Sequence, residues 1–168
     1  MKDLIVIDDF LSKEDHHKIY DLTMKRKWHT TNDEGDDPLS GQSGYNSHDD
    51  DGQGEGTQII IKECLKHEKL IEILKTNYMR TTYNKYDPKT PTYFHTDTDG
   101  GWTLVYFPHI SEYNFQMGGE TQILISNTIV GVLPLPNRLM AFEGSLNHKG
   151  TSFTNNQYRY SLAIQFRD

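Results

Sequence analysis

His95 and Asp97 are the most suggestive pair of polar residues in the sequence, because one residue separates an imidazole from a carboxylate. They lie at the end of residues 92–97, which we predict to be a β-strand. Side chains two residues apart on a strand point to the same face, so these two would project together. Such a short motif also arises by chance. With a third ligand from a different strand, it would form a facial metal site with open coordination positions.

His148 is the natural third ligand. It follows the predicted strand 138–142 after a short bend that contains Gly144. A lone histidine beside a turn is more often a surface residue, so this assignment depends on the pair described above. His109, at the end of another predicted strand, is the main alternative. The other histidines lie on predicted helices or in and near an acidic loop: His16, His17, His29, His48 and His67.

Residues 158–166 form the clearest strand pattern, with apolar and other side chains in strict alternation. If the apolar face packs against another layer, Arg159 and Ser161 point into the protein interior. A buried guanidinium is costly without an anion, and arginine binds carboxylates through two parallel hydrogen bonds. Arg159 therefore indicates a site for an anionic ligand. The alternative is a structural ion pair with Glu120 or Glu143.

The elements that must position these residues fall into two parts. We predict a strand at residues 4–7, a helix from the N-cap Ser12 to about residue 27, a strand at 57–61 and a second helix at 62–78. Strands then follow to the end of the chain. This order predicts an α+β protein whose core is a double-stranded β-helix (a cupin-like jelly roll), with two N-terminal helices packed on one sheet. The predicted later strands are residues 79–86, 92–97, 102–107, 121–125, 129–133, 138–142, 148–153 and 158–166.

Residues 28–56 are rich in Asp, Gly and Ser and almost free of aliphatic side chains, which predicts a long acidic, glycine-rich loop. A calcium-binding loop starting at Asp49 would require a bidentate Glu where Ile60 stands, so a solvated loop is the better interpretation. The functional interpretation of this loop is a lid that covers the site.

Length, charge and cysteine content narrow the classes of function. A chain of 168 residues is suited to a single domain spanning residues 1–168. A net charge of -7 argues against a nucleic-acid partner. Cys64 is the only cysteine, which excludes an internal disulfide and thiolate clusters. No apolar run has the length of a membrane span, and residues 4–7 are too short for the core of a signal peptide, so we expect a cytoplasmic protein.

Residues 80–167 resemble the catalytic core of the prolyl 4-hydroxylase-like Fe(II)- and 2-oxoglutarate-dependent dioxygenases. The segments that carry the resemblance are RTTYNKYDPKTPTYFHTD, WTLVYF, GGET and VLPLPNRLMAFEGSLNHKGTSFTNNQYRYSLAIQFR. The N-terminal LIVIDDFLSKEDHHKIYDL is similar to the entry strand and helix of that family. The sequence departs from the family in its interval of eleven residues from His148 to Arg159, which is one longer than in many members, and in lacking a basic residue often found after the aspartate ligand. The extra peptide-binding domain of the collagen enzymes is not expected either.

The resemblance implies a role for each candidate residue. His95, Asp97 and His148 match the iron ligands, and Arg159 matches the residue that binds the far carboxylate of 2-oxoglutarate. Further residues that the resemblance places around this cofactor are Ser161, Tyr106 and either Tyr83 or Tyr86.

The implied reaction uses Fe(II), 2-oxoglutarate and O2, with ascorbate as a candidate reductant, and releases succinate and CO2. A peptidyl proline or a similar side chain is the expected substrate. The alternatives are an oxygenase acting on a small molecule or free amino acid, a non-catalytic metal-binding jelly roll, and a zinc hydrolase that recruits Glu120 or Glu143. The acidic balance disfavours a nucleic-acid demethylase. The oligomeric state stays open.

Overall fold

Two antiparallel sheets form the core of the computed structural model, which describes residues 4–30, 45–49, 52–88 and 91–168. The larger sheet has seven strands in the order β1-β8-β5-β10-β4-β3-β2, and the smaller has three in the order β7-β6-β9. In chain order the strands are β1 (Leu4–Ile7), β2 (His29–Thr30), β3 (Tyr45–Asp49), β4 (Asn77–Tyr86), β5 (Trp102–Phe107), β6 (Thr121–Ile125), β7 (Thr128–Val132), β8 (Arg138–Glu143), β9 (His148–Gly150) and β10 (Arg159–Arg167).

The described residues before β4 form three α-helices, not the two predicted: α1 (Lys13–Met24), α2 (Glu55–Cys64) and α3 (Glu68–Leu74). The Ser12 hydroxyl accepts a hydrogen bond from the Asp15 amide at 3.1 Å, which confirms the predicted start of α1. The predicted strand at 57–61 is wrong, because these residues belong to α2. Their buried positions recur at helical spacing and override the strand preference of β-branched side chains: Gly56, Thr57, Ile60 and Cys64. The predicted helix at 62–78 is likewise split, and its last residues start β4.

The two faces of the larger sheet are buried by different partners. One face packs against the helices through a cluster that includes Ile19, Ile60 and Leu162. The other packs against the smaller sheet, where Val105 and Phe142 meet Ile123. Each fully buried aliphatic or aromatic side chain of this kind contributes about 1.5–3 kcal/mol. The space between the two sheets is therefore the interior of a jelly roll, and side chains entering it are removed from water.

β10 shows how the sequence pattern selects these faces. Leu162 and Ile164 pack into the helix-side cluster, whereas Arg159 and Ser161 are buried on the opposite face, as the alternation predicted. β10 lies between β4 and β5, with Leu162 paired to Tyr83 on one side and to Tyr106 on the other. Residues at these paired positions therefore share a face.

The region predicted as one acidic loop at 28–56 contains regular structure. β2 and β3 extend the larger sheet beyond β4, and α2 begins at Glu55. Residues 31–44, 50 and 51 lie outside the described residues, so the lid remains a prediction. None of the helices in the described ranges has the length and apolarity needed to cross a membrane.

Candidate functional site

His95, Asp97 and His148 come together in the space between the sheets. One ligand atom from each residue, a ring nitrogen or a carboxylate oxygen, lies within 4.8 Å of the other two. His148 Nε2 lies 3.4 Å from Asp97 Oδ2, and His95 Nε2 lies 3.8 Å from Asp97 Oδ1. The side chains of Asp97 and His148 are only 6% and 8% exposed. The three groups face a common point from two separate segments of the chain.

The backbone conformation around these three residues differs from the predicted one. Residues 92–97 are not a continuous strand, because only His95 pairs, in an isolated bridge with His148 whose two hydrogen bonds measure 2.9 and 2.8 Å. The amides of Asp97 and Thr98 then both donate to the Gly144 carbonyl, which forms a turn instead of a ladder. The predicted strand at 148–153 is likewise shorter and ends at Gly150. The bridge nevertheless holds the two histidines side by side.

Both histidines are oriented by backbone carbonyls. His148 Nδ1 lies 2.9 Å from the Leu146 carbonyl, and His95 Nδ1 lies 3.2 Å from the Tyr93 carbonyl. A carbonyl oxygen only accepts hydrogen bonds, so each Nδ1 carries the proton and donates it. Nε2, the atom nearest Asp97, is then the nitrogen of each ring that faces the carboxylate and that a metal would bind. Metal-binding histidines are commonly fixed in this way.

Asp97 is an ionised carboxylate at ordinary pH. Burial by itself would raise its pKa, but hydrogen bonding and attraction from His148 and a hydrogen bond from Thr103 outweigh it and lower the pKa to about 2. The Thr103 hydroxyl donates to Asp97 Oδ2 at 2.6 Å. Burial and the neighbouring His148 both lower the pKa of His95, which favours its neutral form. One carboxylate and two imidazoles suit a first-row divalent metal such as iron.

Arg159 lies in the same interior and is 1% exposed. Its Nε donates to the Gly119 carbonyl at 2.7 Å, and its Nη2 donates to the Thr121 hydroxyl at 2.8 Å. No carboxylate of the described residues forms an ion pair with it, so the expected alternative, a structural salt bridge to Glu120 or Glu143, is not formed. Burial lowers the pKa of Arg159, since the charged form is held away from water. A guanidinium held only by neutral groups is a suitable site for an anion.

The rest of this pocket is lined by neutral groups. The rings of Tyr86 and Phe107 have their centroids 4.9 and 5.3 Å from the guanidinium carbon of Arg159. Gly150 leaves space here, because a Cβ atom on it would lie 3.0 Å from Arg159 Nη1 and 3.2 Å from the Tyr86 hydroxyl. Ser161 is 2% exposed and follows on the same face of β10. The arrangement fits a small carboxylate next to Arg159.

Comparison with known proteins identifies the fold. No family model and no curated protein sequence matches the chain. Among solved structures, a Pseudomonas putida prolyl-4-hydroxylase matches with a TM-score of 0.78 and 15% identity over 98% of this chain and 92% of its own. A Trichoplax adhaerens prolyl hydroxylase, in complex with a hypoxia inducible factor peptide fragment, matches with a TM-score of 0.73 and 16% identity over 100% and 84%. The viral collagen prolyl hydroxylase from Paramecium Bursaria Chlorella virus-1, as its 2OG complex, gives 0.65 and 18% over 98% and 95%.

The chain has the prolyl 4-hydroxylase-like fold of the 2OG-Fe(II) oxygenases. At these identities the comparison concerns the fold, which is a jelly roll as the sequence predicted.

On this oxygenase fold, two of the tyrosines expected at the cofactor lie elsewhere. Tyr83 and Tyr106 are in the cluster that faces the helices, on the opposite side of the larger sheet from Arg159. The Tyr106 hydroxyl donates to Asn137 Oδ1 at 2.9 Å and lies 2.5 Å from His16 Nδ1, within a network that anchors α1. The assignment of these tyrosines to the cofactor pocket is therefore corrected. Tyr86 pairs directly with Arg159 and is the tyrosine that lines it.

Two contributors were missed by sequence reasoning. Thr103, which supports Asp97, and Gly150, which makes room for Arg159, had no motif of their own. Position was the only available signal: Thr103 is the second residue of a predicted strand, and Gly150 follows the third ligand by two residues. His109, the alternative third ligand, is not part of the cluster. Its Nε2 accepts a hydrogen bond from the Tyr160 amide at 3.1 Å.

Proposed function

We propose that this chain is an Fe(II)- and 2-oxoglutarate-dependent dioxygenase that hydroxylates a peptidyl proline or a similar side chain. The observation that carries the proposal is the combination of a buried His-Asp-His cluster with Arg159, a buried guanidinium that has no described anionic partner. A structural metal alone would not require such a guanidinium. The oxygenase fold supports the same conclusion.

In this proposal His95, Asp97 and His148 hold the iron through Nε2, a carboxylate oxygen and Nε2. Their fit rests on the backbone carbonyls that bind both Nδ1 atoms, so that Nε2 of each ring faces the metal position, and on the ionised Asp97. Bound iron would supply the oxidation that joins decarboxylation of 2-oxoglutarate, to succinate and CO2, with insertion of the second oxygen atom of O2 into a substrate C–H bond. The protein supplies position and a dry environment.

Arg159 binds the far carboxylate of 2-oxoglutarate. Its Nε and Nη2 are fixed by Gly119 and Thr121, so the guanidinium is oriented before the ligand arrives. Burial raises the pKa of Tyr86, and its hydroxyl therefore stays protonated and able to donate a hydrogen bond to the same carboxylate. Phe107 and Phe142 exclude water from this region, since both are completely buried. Ser161 adds a hydroxyl on the same face.

The expected class of substrate is inferred from the compared structures. All three of the compared structures are named prolyl hydroxylases and one holds a peptide fragment, which favours a peptide substrate here. A free amino acid or another small molecule remains the second candidate within the same reaction class. Ascorbate is proposed as the reductant that restores Fe(II) after turnover without substrate.

The test is anaerobic addition of Fe(II) and 2-oxoglutarate to the purified protein. We expect a weak visible charge-transfer absorption and, after admission of O2, formation of succinate. His95→Ala should abolish both, whereas the matched control His17→Ala, on the exposed surface of α1, should leave both unchanged. Metal binding without 2-oxoglutarate binding would favour the non-catalytic metal-binding module instead. A folded wild-type protein with no absorption band and no succinate would refute the oxygenase.

A further inference from the structure

Arg80 is a second guanidinium that reaches the interior of the jelly roll. It lies on β4 at the same parity as Tyr86, and therefore on the face that contains Arg159. Across the sheet, Arg80 pairs with Gln165, and Gln165 pairs with Thr103, the residue whose hydroxyl donates to Asp97. With about 4.8 Å between neighbouring strands, the backbone of Arg80 is about 10 Å from that of Thr103, within reach of an arginine side chain.

The contacts of Arg80 leave part of its guanidinium uncommitted. Its Nε donates to Gln165 Oε1 at 2.5 Å, and Gln165 is itself only 4% exposed, so the group is held by a buried neutral partner. No carboxylate of the described residues pairs with Arg80, and its two terminal nitrogens make no hydrogen bond to them. These two nitrogens are the fork with which arginine binds a carboxylate.

The local backbone directs this side chain. The pairing of β4 with β10 shifts register between Gln165 and Phe166, a bulge that begins just beyond Arg80. Bulges bend a strand and re-aim its side chains, and they occur often beside active sites.

Arg80 and Arg159 stand at opposite ends of the site. Arg159 pairs with Tyr86 on β4, and Arg80 lies six residues before Tyr86 on the same strand. This separation is about 20 Å at 3.3 Å per residue. Arg159 is sealed from solvent, whereas Arg80 is half-buried. A ligand carboxylate bound to Arg159 therefore cannot also occupy Arg80.

We propose that Arg80 binds a carboxylate of the primary substrate, so that the enzyme selects substrates with an acidic group near the carbon to be hydroxylated. This rests on the proposed function and deepens it, because Arg159 is reserved for 2-oxoglutarate. Two sources provide this chemistry: an acidic side chain next to the target residue in a peptide, or the α-carboxylate of a free amino acid.

The test measures binding to protein loaded with Mn(II) and 2-oxoglutarate, which does not turn over. Calorimetric titrations compare N-acetyl-Pro-Glu-amide with its Gln counterpart, and L-proline with L-prolinamide. We expect the acidic member of one pair to bind at least tenfold more tightly, and the pair concerned identifies the source. Arg80→Gln should remove this preference by weakening only the acidic member, while Arg80→Lys should keep part of it.

Arg167→Gln is the control, because it removes the same charge from the exposed end of β10. It should leave the preference intact. Equal affinity of the wild type for acid and amide in both pairs would overturn the proposal. So would an Arg80→Gln variant that weakens Mn(II) or 2-oxoglutarate binding as much as acid binding, since Arg80 would then support the metal site. Failure of the Mn(II)-loaded wild type to bind 2-oxoglutarate is a separate result, which refutes the proposed function.

Discussion

Gly150 is the position where a single methyl group should report whether Arg159 binds 2-oxoglutarate. A Cβ atom there would lie 3.0 Å from Arg159 Nη1 and 3.2 Å from the Tyr86 hydroxyl. Contacts this short force a neighbour to move by a few tenths of an ångström. The Arg159 guanidinium has little freedom to move, because Gly119 and Thr121 already hold it at 2.7 and 2.8 Å. In Gly150→Ala, the guanidinium must therefore lose part of its alignment with the ligand.

The expected size of the effect follows from the hydrogen bonds involved. Loss of one hydrogen bond to a charged group costs about 1.5–3 kcal/mol, which corresponds to about 10- to 150-fold weaker binding of 2-oxoglutarate. Overpacking should also lower the free energy of unfolding of the ligand-free protein by about 1–3 kcal/mol. Calorimetric titration of the Mn(II)-loaded protein measures the first effect, and urea unfolding measures the second.

Gly131→Ala is the matched control for Gly150→Ala. It makes the same change in the same three-stranded sheet, and its Cβ would meet Glu120 Cγ at 3.3 Å. Glu120 is half-buried and its carboxylate accepts a hydrogen bond from Gln122 Nε2 at 2.9 Å, which a small rotation of this side chain preserves. The 2-oxoglutarate affinity should therefore stay within twofold of the wild type, roughly the 0.4 kcal/mol that a factor of two represents. If Gly150→Ala also binds 2-oxoglutarate normally, the ligand does not lie against Arg159 and the assignment of this pocket is refuted.

Three further outcomes test separate parts of the site. Thr103→Val removes the hydrogen bond to Asp97 and should weaken Mn(II) binding about 10- to 100-fold, measured by metal titration, whereas Thr103→Ser should retain it. Tyr106→Phe should lower the free energy of unfolding by about 1–3 kcal/mol in urea while leaving 2-oxoglutarate affinity unchanged, because Tyr106 lies in the helix-side network; a selective loss of affinity would contradict its placement. Mn(II) should raise the melting temperature of the wild type, an increase that EDTA reverses and that His95→Ala lacks; an equal rise in that variant would mean the metal binds elsewhere.

The strands of the C-terminal half could be predicted from the sequence because their apolar and polar side chains alternate with a period of two. β5 and β6 begin and end where predicted, and the apolar side of β10 packs as its pattern required. The helices and strands of the N-terminal half were predicted less accurately. In α2, β-branched residues such as Thr57 and Ile60 favour a strand locally, and contact with the larger sheet decides for a helix.

Alternation does not say which face of a strand meets which layer, and the tyrosines show the consequence. Tyr83 and Tyr86 differ by three positions on β4 and so point to opposite faces. Both are aromatic and both are buried, so composition could not separate them. Only the pairing with β10, which places Tyr86 beside Arg159 and Tyr83 beside Leu162, assigns one to the interior and the other to the helix side.

The sequence by itself determined the chemical groups of the site, the order in which they occur and the alternation that buries Arg159, because these depend on residue types and local periodicity. Tertiary structure alone decided how they meet. A bridge between His95 and His148, and a shared carbonyl for the amides of Asp97 and Thr98, bring the ligands together without the strand that was predicted. Such contacts join segments about fifty residues apart, and local preferences carry no information about pairing over that distance.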